Sequence, residues 1–228
     1  HNLAAIYMSI NKEKYQDILQ KLHGNATLIA VSKTKPVEDI LELYNLGQRD
    51  FGENYVQEMV DKYEQLPKDI NWHFIGHLQS NKVKYIAPFV HLIHAVDSFS
   101  LLKQINKQAV KNNRIIDCLL QIHIAKEETK FGFDAGELDQ VTGLDELKNV
   151  KIIGLMGMAS FSDNIDLVSN EFNFLKNLFE KFKIHPVNNG TNFKILSMGM
   201  SADYELALEA GSNMIRIGSL LFGSRVYK

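Results

Sequence analysis

Eight short apolar runs alternate with amphipathic segments along the chain, and this alternation limits the fold more than any other feature. The runs are rich in β-branched residues, which is typical of buried strands. They cover residues 26–33, 50–54, 71–77, 92–98, 118–124, 151–158, 193–200 and 214–218. Apolar residues at helical spacing predict helices at 37–46, 100–112, 167–182 and 201–210. Such alternation predicts parallel strands that are joined by helical crossovers.

The number of units and the first turn distinguish between two folds. Eight strand–helix units in 228 residues fit a closed barrel of the TIM type. A doubly wound open sheet usually has fewer strands and a glycine-rich first turn, whereas the first turn here is Ser32-Lys33-Thr34-Lys35-Pro36. No linker rich in Pro, Gly or Ser divides the chain. We therefore predict the α/β class and one domain over residues 1–228, a single (β/α)8 barrel.

Composition argues against several classes of partner. The formal net charge is -2, so nothing attracts the chain to nucleic acid. No apolar stretch approaches the roughly 18 residues of a membrane span, and His1 to Tyr7 lacks the pattern of a secretory signal. The single cysteine, Cys118, lies in an apolar run, as expected in a reducing compartment. We expect a cytoplasmic protein without nucleic-acid or membrane partners. Met8-Ser9-Ile10 resembles a natural start, so residues 1–7 are interpreted as an added remnant.

Barrel active sites lie at the carboxyl ends of the strands, and Lys33 ends the first predicted strand. A free lysine has a pKa of about 10.4 and is a poor nucleophile at neutral pH. Partial desolvation lowers that pKa and makes the amine available for Schiff-base chemistry. Strands also often end in a solvated lysine, and this segment alone does not decide between the two interpretations.

Small and hydroxyl-bearing residues follow the last two predicted strands, where barrels frequently bind phosphate. They are Ser197, Gly199, Ser201, Gly218 and Ser219. Small residues let an oxyanion approach the backbone amides. Ser201 could instead be the N-cap of a helix, and Gly218 could simply form a tight turn. The occurrence of both features at the two phosphate positions of barrels favours a ligand.

Arg216 lies between two isoleucines, so strand alternation places it on the same face as Met214 and Gly218. A charge inside a barrel needs a partner, because burying it unpaired is costly. Two interpretations explain Arg216 equally well at this point. One is an internal ion pair with a glutamate such as Glu53, and the other is a hydrogen bond to the ring nitrogen of a ligand.

His73 and His77 have the spacing of a metal pair on a helix, but they fall on a predicted strand. A rise near 3.3 Å per residue separates them by about 13 Å, which one ion cannot span. We therefore predict no metal site, internal packing for His73 and a polar position in the barrel mouth for His77. The aromatic residues of the segment 167–182 are interpreted as helix packing. They are Phe172, Phe174, Phe179 and Phe182.

Five motifs together resemble the pyridoxal phosphate homeostasis protein family, single-domain relatives of the alanine racemase barrel. The motifs occur in family order between residues 30 and 223 and are specific as a set. They are AVSKTKP (30–36), FGENYVQ (51–57), WHFIGHLQSNK (72–82), LSMGMS (196–201) and IRIGSLLFG (215–223).

The resemblance implies that pyridoxal 5'-phosphate is held as a Schiff base on Lys33, with Arg216 facing the pyridine nitrogen. It implies that Asn54 lies beside the cofactor and that Met156 covers a flank of the ring. Lys130 matches, less closely, a basic residue near the phenolic oxygen in alanine racemases. The implied phosphate contacts come from Ser197, Ser201, Gly218, Ser219 and the backbone amides near them, including that of Gly199. Met158-Ala159-Ser160 departs from the expected proline-containing loop, which puts the shape of that loop in doubt.

The resemblance implies a role in vitamin B6 homeostasis, in which the protein holds the cofactor and supplies or buffers it. An arginine cannot protonate the ring nitrogen, which weakens the cofactor as an electron sink. Racemisation also needs acid–base groups on both faces of the α-carbon, and alanine racemase takes its tyrosine from a further C-terminal domain. Tyr55 should point away from the cavity if Asn54 points into it. The implied partners are the cofactor, amino acids that exchange with the imine and transient contacts with apoenzymes, with the protein a monomer. A low-turnover amino-acid racemase and a sugar-phosphate enzyme remain the alternatives, and no catalytic residue is assigned.

Overall fold

The computed structural model describes residues 9–128, 131–185 and 192–223, so residues 1–7 and Lys130 lie outside the described part. Eight parallel strands form a closed barrel in sequence order, and the last strand pairs with the first. The strands are β1 Thr27–Val31, β2 Asp50–Glu53, β3 Asn71–Phe74, β4 Leu92–Val96, β5 Ile116–Gln121, β6 Val150–Met156, β7 Ile195–Ser197 and β8 Met214–Ile217. The predicted fold is therefore confirmed.

Most strands are shorter at their carboxyl ends than the apolar runs that predict them. The run 71–77 gives a strand only as far as Phe74, and the run 193–200 gives a strand only over 195–197. The remaining residues leave the sheet and form the loops around the barrel mouth. Hydrophobicity alone does not separate these two environments, because many residues in the mouth loops are also at least partly buried.

Helices lie between the strands and cover the outside of the barrel. In the described ranges they are α1 Lys12–Leu22, α2 Val37–Asn45, α3 Val56–Gln65, α4 Val83–Ile86, α5 Phe99–Lys111, α6 Ala135–Asp139, α7 Ile165–Lys183, α8 Tyr204–Glu209 and α9 Ser219–Phe222. Short 3-10 turns lie at Ser80–Lys82 and Leu144–Glu146. The prediction did not include α1, which begins at Lys12 with the side chain of Asn11 accepting from the amide of Lys14.

Helix α8 begins three residues later than the sequence predicts. Its first residue is Tyr204, and Asp203 occupies the N-cap position. The Asp203 carboxylate accepts from the Met200 amide at 2.8 Å and so closes the preceding turn. Ser201 lies within that turn, so the interpretation of Ser201 as an N-cap is wrong.

The apolar core has two layers that follow the alternation of the strands. The inner layer fills the barrel with Ile29, Leu92, Ala95, Leu119, Ile153, Met156 and Met214. The outer layer packs the strands against the helices and includes Ile215 and Ile217. The predicted assignment of Met214 to the inside and of the isoleucines to the outside is thus confirmed.

Two sequence predictions about individual side chains have different outcomes. Cys118 is buried, and burial raises the pKa of its thiol, so it packs as a small apolar residue, as predicted. Phe172, Phe179 and Phe182 of α7 are buried, but Phe174 is 48% exposed and does not belong to the packed stripe. None of the helices in the described ranges is long and apolar enough to cross a membrane.

Candidate functional site

A cavity of about 800 Å³ opens at the carboxyl ends of the barrel strands. Its walls come from the loops after β1, β2, β3, β6, β7 and β8, as expected for a barrel mouth. Six of the predicted cofactor residues line it, namely Lys33, Asn54, Ser201, Arg216, Gly218 and Ser219. The other three predicted residues, Met156, Ser197 and Gly199, lie next to the wall without lining it. The geometry thus brings the amine of Lys33, one guanidinium and several hydroxyl groups to a common space, which the side chain of Lys35 also reaches.

Lys33 lies in a tight turn that leaves the barrel directly after β1. The side chain is half-buried, which differs from the solvated lysine that often ends a strand. The next residue, Thr34, has a positive φ of 64°, and its amide donates to the Glu58 carboxylate. The side chain of Lys35 also reaches the cavity wall, but its Nζ donates to the Phe222 carbonyl at 3.2 Å. The turn therefore brings both lysines to the cavity and ties the amine of Lys35 to the end of α9.

A buried charged cluster supports this turn from the outer side of the barrel. Lys62 Nζ donates to the Ser32 carbonyl at 2.7 Å, to Glu53 Oε1 at 2.5 Å and to Glu58 Oε1 at 2.7 Å. Desolvation raises the pKa of Glu53 to about 7, although Lys62 acts in the opposite direction. Sequence analysis missed Lys62. The spacing of four between Glu58 and Lys62 on a helix was the available signal.

Arg216 is buried in β8 and forms part of the cavity wall. It donates to Ser197 Oγ and, at 3.2 Å, to the Gly157 carbonyl. Burial lowers the pKa of the guanidinium to about 10, which still leaves it charged at neutral pH. Glu53 belongs to the opposite face of the sheet and pairs with Lys62, so the predicted alternative of an Arg216–Glu53 ion pair is wrong.

The loops after β7 and β8 form one corner of the cavity. Ser201, Gly218 and Ser219 line this corner, and Ser219 is the first residue of α9. Gly199 has a φ of 103°, and a Cβ atom there would lie 2.7 Å from the Cβ of Ala207. A glycine is therefore required at 199 for the turn to pass close to α8.

Asn54 follows β2 and supplies a polar atom without a hydrogen-bond partner among the described residues. Its Oδ1 is buried, and the side chain lines the cavity. A Cβ atom at Gly76 would lie 2.6 Å from the Asn54 carbonyl, so this backbone approach requires glycine. A buried acceptor at a cavity wall fits a ligand that donates a hydrogen bond. Tyr55 is 54% exposed and does not line the cavity, as the alternation predicts.

The loop after β6, whose shape the sequence left in doubt, forms a side of the cavity through Met158, Ala159 and Ser160. Ser160 is buried, donates to Glu171 of α7 at 2.9 Å and accepts from the Lys126 amide at 2.8 Å. Glu171 also accepts from the Ser160 amide at 2.9 Å. These contacts fix the loop without a proline, and the sequence analysis did not identify Glu171.

The two histidines of the third motif lie in different environments, as predicted. His77 is in the mouth, where its Nδ1 lies 3.1 Å from Asp97 Oδ2 and its ring stacks on Phe131 at 4.1 Å. His73 is buried in the barrel between Asp50 and His94.

Comparison of the sequence with known families and proteins gives one consistent result. The family model described as alanine racemase, N-terminal domain, matches residues 9–226. A pyridoxal phosphate homeostasis protein of Aquifex aeolicus is 43% identical over 204 residues, which cover 89% of this chain and 88% of that relative. The protein of the same name from Haemophilus influenzae is 37% identical over 231 residues, covering 100% of this chain and 96% of the relative.

Solved structures agree with the sequence comparison. PipY of Synechococcus elongatus without PLP has a TM-score of 0.85 and 33% identity, covering 92% of this chain and 99% of PipY. PipY with PLP bound has a TM-score of 0.82 and 34% identity over the same shares of both chains. An alanine racemase of Clostridium difficile is 14% identical with a TM-score of 0.70, covering 96% of this chain and 62% of the racemase, and so shares the fold alone. This chain belongs to the alanine racemase N-terminal domain family and, within it, to the pyridoxal phosphate homeostasis proteins.

Proposed function

We propose that this protein binds pyridoxal 5'-phosphate in the cavity at the barrel mouth and serves vitamin B6 homeostasis by holding and supplying the cofactor. The observation that carries the proposal is the convergence of Lys33 and Arg216 with Ser201 and Ser219 on one cavity. The PLP-bound structure of PipY, a relative of 34% identity, supports it.

The chemistry of the cavity wall fits this cofactor in three respects. The half-buried amine of Lys33 suits an aldehyde, and the cationic Arg216 suits an electron-rich ring nitrogen. The hydroxyl groups of Ser201 and Ser219 and the small residue Gly218 suit a phosphate. The orphaned Oδ1 of Asn54 gains a partner when a ligand donates to it.

Each residue has a distinct task in this proposal. When bound, the cofactor would supply an aldehyde, and the amine of Lys33 would hold it covalently. Arg216 donates to the ring nitrogen and, because a guanidinium has no proton acceptor, keeps that nitrogen unprotonated. Ser201, Ser219 and nearby amides bind the phosphate. The expected contacts of Met156, Ser197 and Gly199 stay predictions, since these three residues do not line the cavity.

Supply of the cofactor requires that the bond to Lys33 can be broken by another amine. The cavity is open at the mouth and has a volume of about 800 Å³, which leaves room for an amino acid beside the cofactor. Exchange needs only Lys33 and access from solvent, so amino acids and the lysines of apoenzymes are the proposed partners.

The Ser201→Ala variant tests the phosphate corner and the proposed function together. Pyridoxal phosphate should give a saturable visible band with the wild-type protein. Loss of one hydrogen bond to a charged group costs about 1.5–3 kcal/mol, so the variant should bind roughly ten- to a hundredfold more weakly. Because Ser201 does not cap α8, the variant should keep its thermal midpoint. A wild-type protein without a saturable band would contradict the proposed function, and an unchanged Kd would contradict the role of Ser201.

A low-turnover amino-acid racemase is the second candidate, because alanine racemases share the fold. Racemisation needs an acid–base group opposite the lysine, and no tyrosine is among the described residues that line the cavity. Arg216 also leaves the bound ring a weak electron sink.

We therefore expect little or no racemisation of L-amino acids when the protein is saturated with pyridoxal phosphate. The measurement is chiral analysis after long incubation, with a true racemase run in parallel. A turnover number of about 1–10³ per second, the usual enzyme range, would make the protein a catalyst and overturn the carrier function.

A further inference from the structure

A line of polar side chains crosses the otherwise apolar interior of the barrel. It begins at Asp50 near the amino-terminal rim, where the carboxylate Oδ1 lies 2.8 Å from His73 Nε2. His73 Nδ1 lies 2.9 Å from His94 Nε2, and His94 Nδ1 lies 3.0 Å from Ser197 Oγ. Ser197 accepts from Arg216, which lines the cavity at the opposite end. The line therefore connects the two ends of the barrel.

The chemistry of the two ends fixes the direction of the hydrogen bonds. A guanidinium only donates and a carboxylate only accepts. Ser197 therefore accepts from Arg216 and uses its single proton to donate to His94 Nδ1. His94 then carries its proton on Nε2 and donates to His73 Nδ1. His73 in turn carries its proton on Nε2 and donates to Asp50, so every group in the line is satisfied with both imidazoles neutral.

The opposite direction satisfies fewer groups. It would place protons on Nδ1 of both imidazoles and would require Asp50 to be protonated, in order to donate to His73. Burial alone would raise the pKa of Asp50, but the hydrogen bonds from His73 and Asn71 and the electrostatic interactions with His73 and His91 together lower it, which favours the carboxylate. Among the described residues, no second acceptor is found for the Ser197 hydroxyl, which would then keep an unpaired proton.

The line helps to explain how the barrel tolerates a buried cation, together with Asp203 at the cavity wall, whose charge raises the pKa of the Arg216 guanidinium against the larger effect of burial. The two hydrogen-bond acceptors found for Arg216 in the described ranges, Ser197 Oγ and the Gly157 carbonyl, are both uncharged. Aligned hydrogen bonds polarise one another in a low dielectric, and here they lead to the carboxylate of Asp50. Burial lowers the pKa of His73 and, well below its usual value, that of His94. The other charged or titratable group that acts on both imidazoles is His91.

We propose that His94 and Ser197 are positioning residues, which form with His73 and Asp50 a one-way donor chain that holds the Arg216 guanidinium at the cavity wall. The inference rests on the proposed function, because the ligand that Arg216 meets is taken to be pyridoxal phosphate. It gives Ser197 a different task from the phosphate contact that the resemblance implies. In this arrangement the guanidinium of Arg216 cannot rotate freely, and the N–H groups that do not bind Ser197 or Gly157 remain available to a ligand in the cavity.

The direction of the chain can be measured in the protein without cofactor. Long-range ¹H–¹⁵N NMR correlations of the imidazoles report which ring nitrogen carries the proton. We expect neutral rings protonated on Nε2 for both His73 and His94 across the neutral pH range. EDTA should be present, because donor atoms of Asp50, His73 and His91 lie within 4.8 Å of one another and could bind a stray metal ion. An Nδ1-protonated or cationic ring at either position would overturn the proposal, whether or not the cofactor binds.

Variants test whether the chain acts on the cofactor site. His94→Leu removes the acceptor for Ser197, whereas His94→Asn places an amide oxygen close to the position of Nδ1. We expect His94→Leu to weaken cofactor binding about tenfold. We also expect it to lower the pH midpoint of the imine band by about one unit, because a misplaced Arg216 lets the ring nitrogen take up a proton. His94→Asn should restore most of both values. His91→Ala, a neighbour outside the chain, should behave as the wild-type protein.

Two further measurements distinguish a failure of the positioning role from the unfolding of a variant and from a failure of the proposed function. Thermal midpoints identify a variant that has lost affinity only because it unfolds, and the NMR result on the wild-type protein does not depend on any variant. A folded His94→Leu protein with an unchanged Kd and an unchanged pH midpoint would overturn the positioning role. A wild-type protein that shows no imine band would instead overturn the proposed function. The NMR measurement of the tautomers would still decide the direction of the donor chain, because it is made without cofactor.

Discussion

Replacing Lys33 by alanine is expected to abolish the visible imine band that pyridoxal phosphate gives with the wild-type protein. Lys33 is half-buried and lines the same cavity as Arg216 and Ser201. A desolvated amine is the group that can bond covalently to an aldehyde at neutral pH. Non-covalent affinity should remain, because the alanine variant keeps Arg216 and the phosphate corner. The measurement is an absorption spectrum at saturating cofactor, followed by borohydride reduction and peptide mapping of the wild-type protein.

Lys35 provides the matched control for this variant. It lies two residues from Lys33 and also reaches the cavity wall, so it meets the same concentration of cofactor. Its amine, however, donates to the carbonyls of Phe222 at 3.2 Å and Gly223 at 3.5 Å. Lys35→Ala should therefore keep the band. A reduced label found on Lys35 with none on Lys33 would show that the attachment site has been assigned to the wrong lysine.

The parts of the fold that depend on local pattern could be predicted from the sequence. A strand buried on both faces has a continuous apolar run, and the eight runs gave the eight strands in their order around the barrel. The carboxyl ends of these strands could not be predicted to the residue. Residues such as Ile75 and Met158 are apolar because they line the mouth, although they lie outside the sheet.

The site could be predicted as a set of positions and not as a set of contacts. The rule that barrel sites lie at the carboxyl ends of strands brought Lys33, Asn54 and Arg216 to one cavity. The partner of Arg216 was not predictable, because hydrogen bonds between strands depend on the register of the closed barrel. His94 and Ser197 are 103 residues apart in the chain, and neither carries a local signal of their contact.

The cluster around Lys62 leads to the largest expected effect on stability. Lys62 and Glu53 are 5% and 0% exposed, and the amine pairs with two carboxylates and the Ser32 carbonyl. Removing one partner of a buried ion pair leaves an uncompensated charge and typically costs about 3–5 kcal/mol. We expect Lys62→Met to lower the free energy of unfolding by about that amount at a pH above 7, where Glu53 of the wild-type protein is ionised, as measured by urea denaturation with circular dichroism.

Lys176→Met is the matched control, because Lys176 makes an ion pair with Glu180 at the same 2.7 Å as Lys62 with Glu58. The side chains of Lys176 and Glu180 are 34% and 50% exposed. Exposed pairs of this kind contribute about 0–1 kcal/mol, so this variant should remain close to the wild-type stability. Equal losses in the two variants would mean that Lys62 contributes through its length and not through buried charge.

The pH dependence of the Lys62→Met variant distinguishes a lost charge from lost packing. In the wild-type protein burial raises the pKa of Glu53 from 4.5 to about 7, so between these values the folded state binds more protons than the unfolded state. Its stability contribution is present at acid pH and is lost as the pH rises through about 7. Without the Lys62 amine the pKa of Glu53 rises further, so the two folded proteins differ in the charge of Glu53 only above about pH 7. The part of the penalty that comes from Glu53 should therefore be small at acid pH and should grow as the pH rises beyond about 7.

Adding Glu53→Gln, which removes the charge at every pH, should recover part of the stability lost above this pH and flatten the dependence. A penalty that does not change as the pH rises through about 7, and that Glu53→Gln does not reduce, would contradict the charge mechanism.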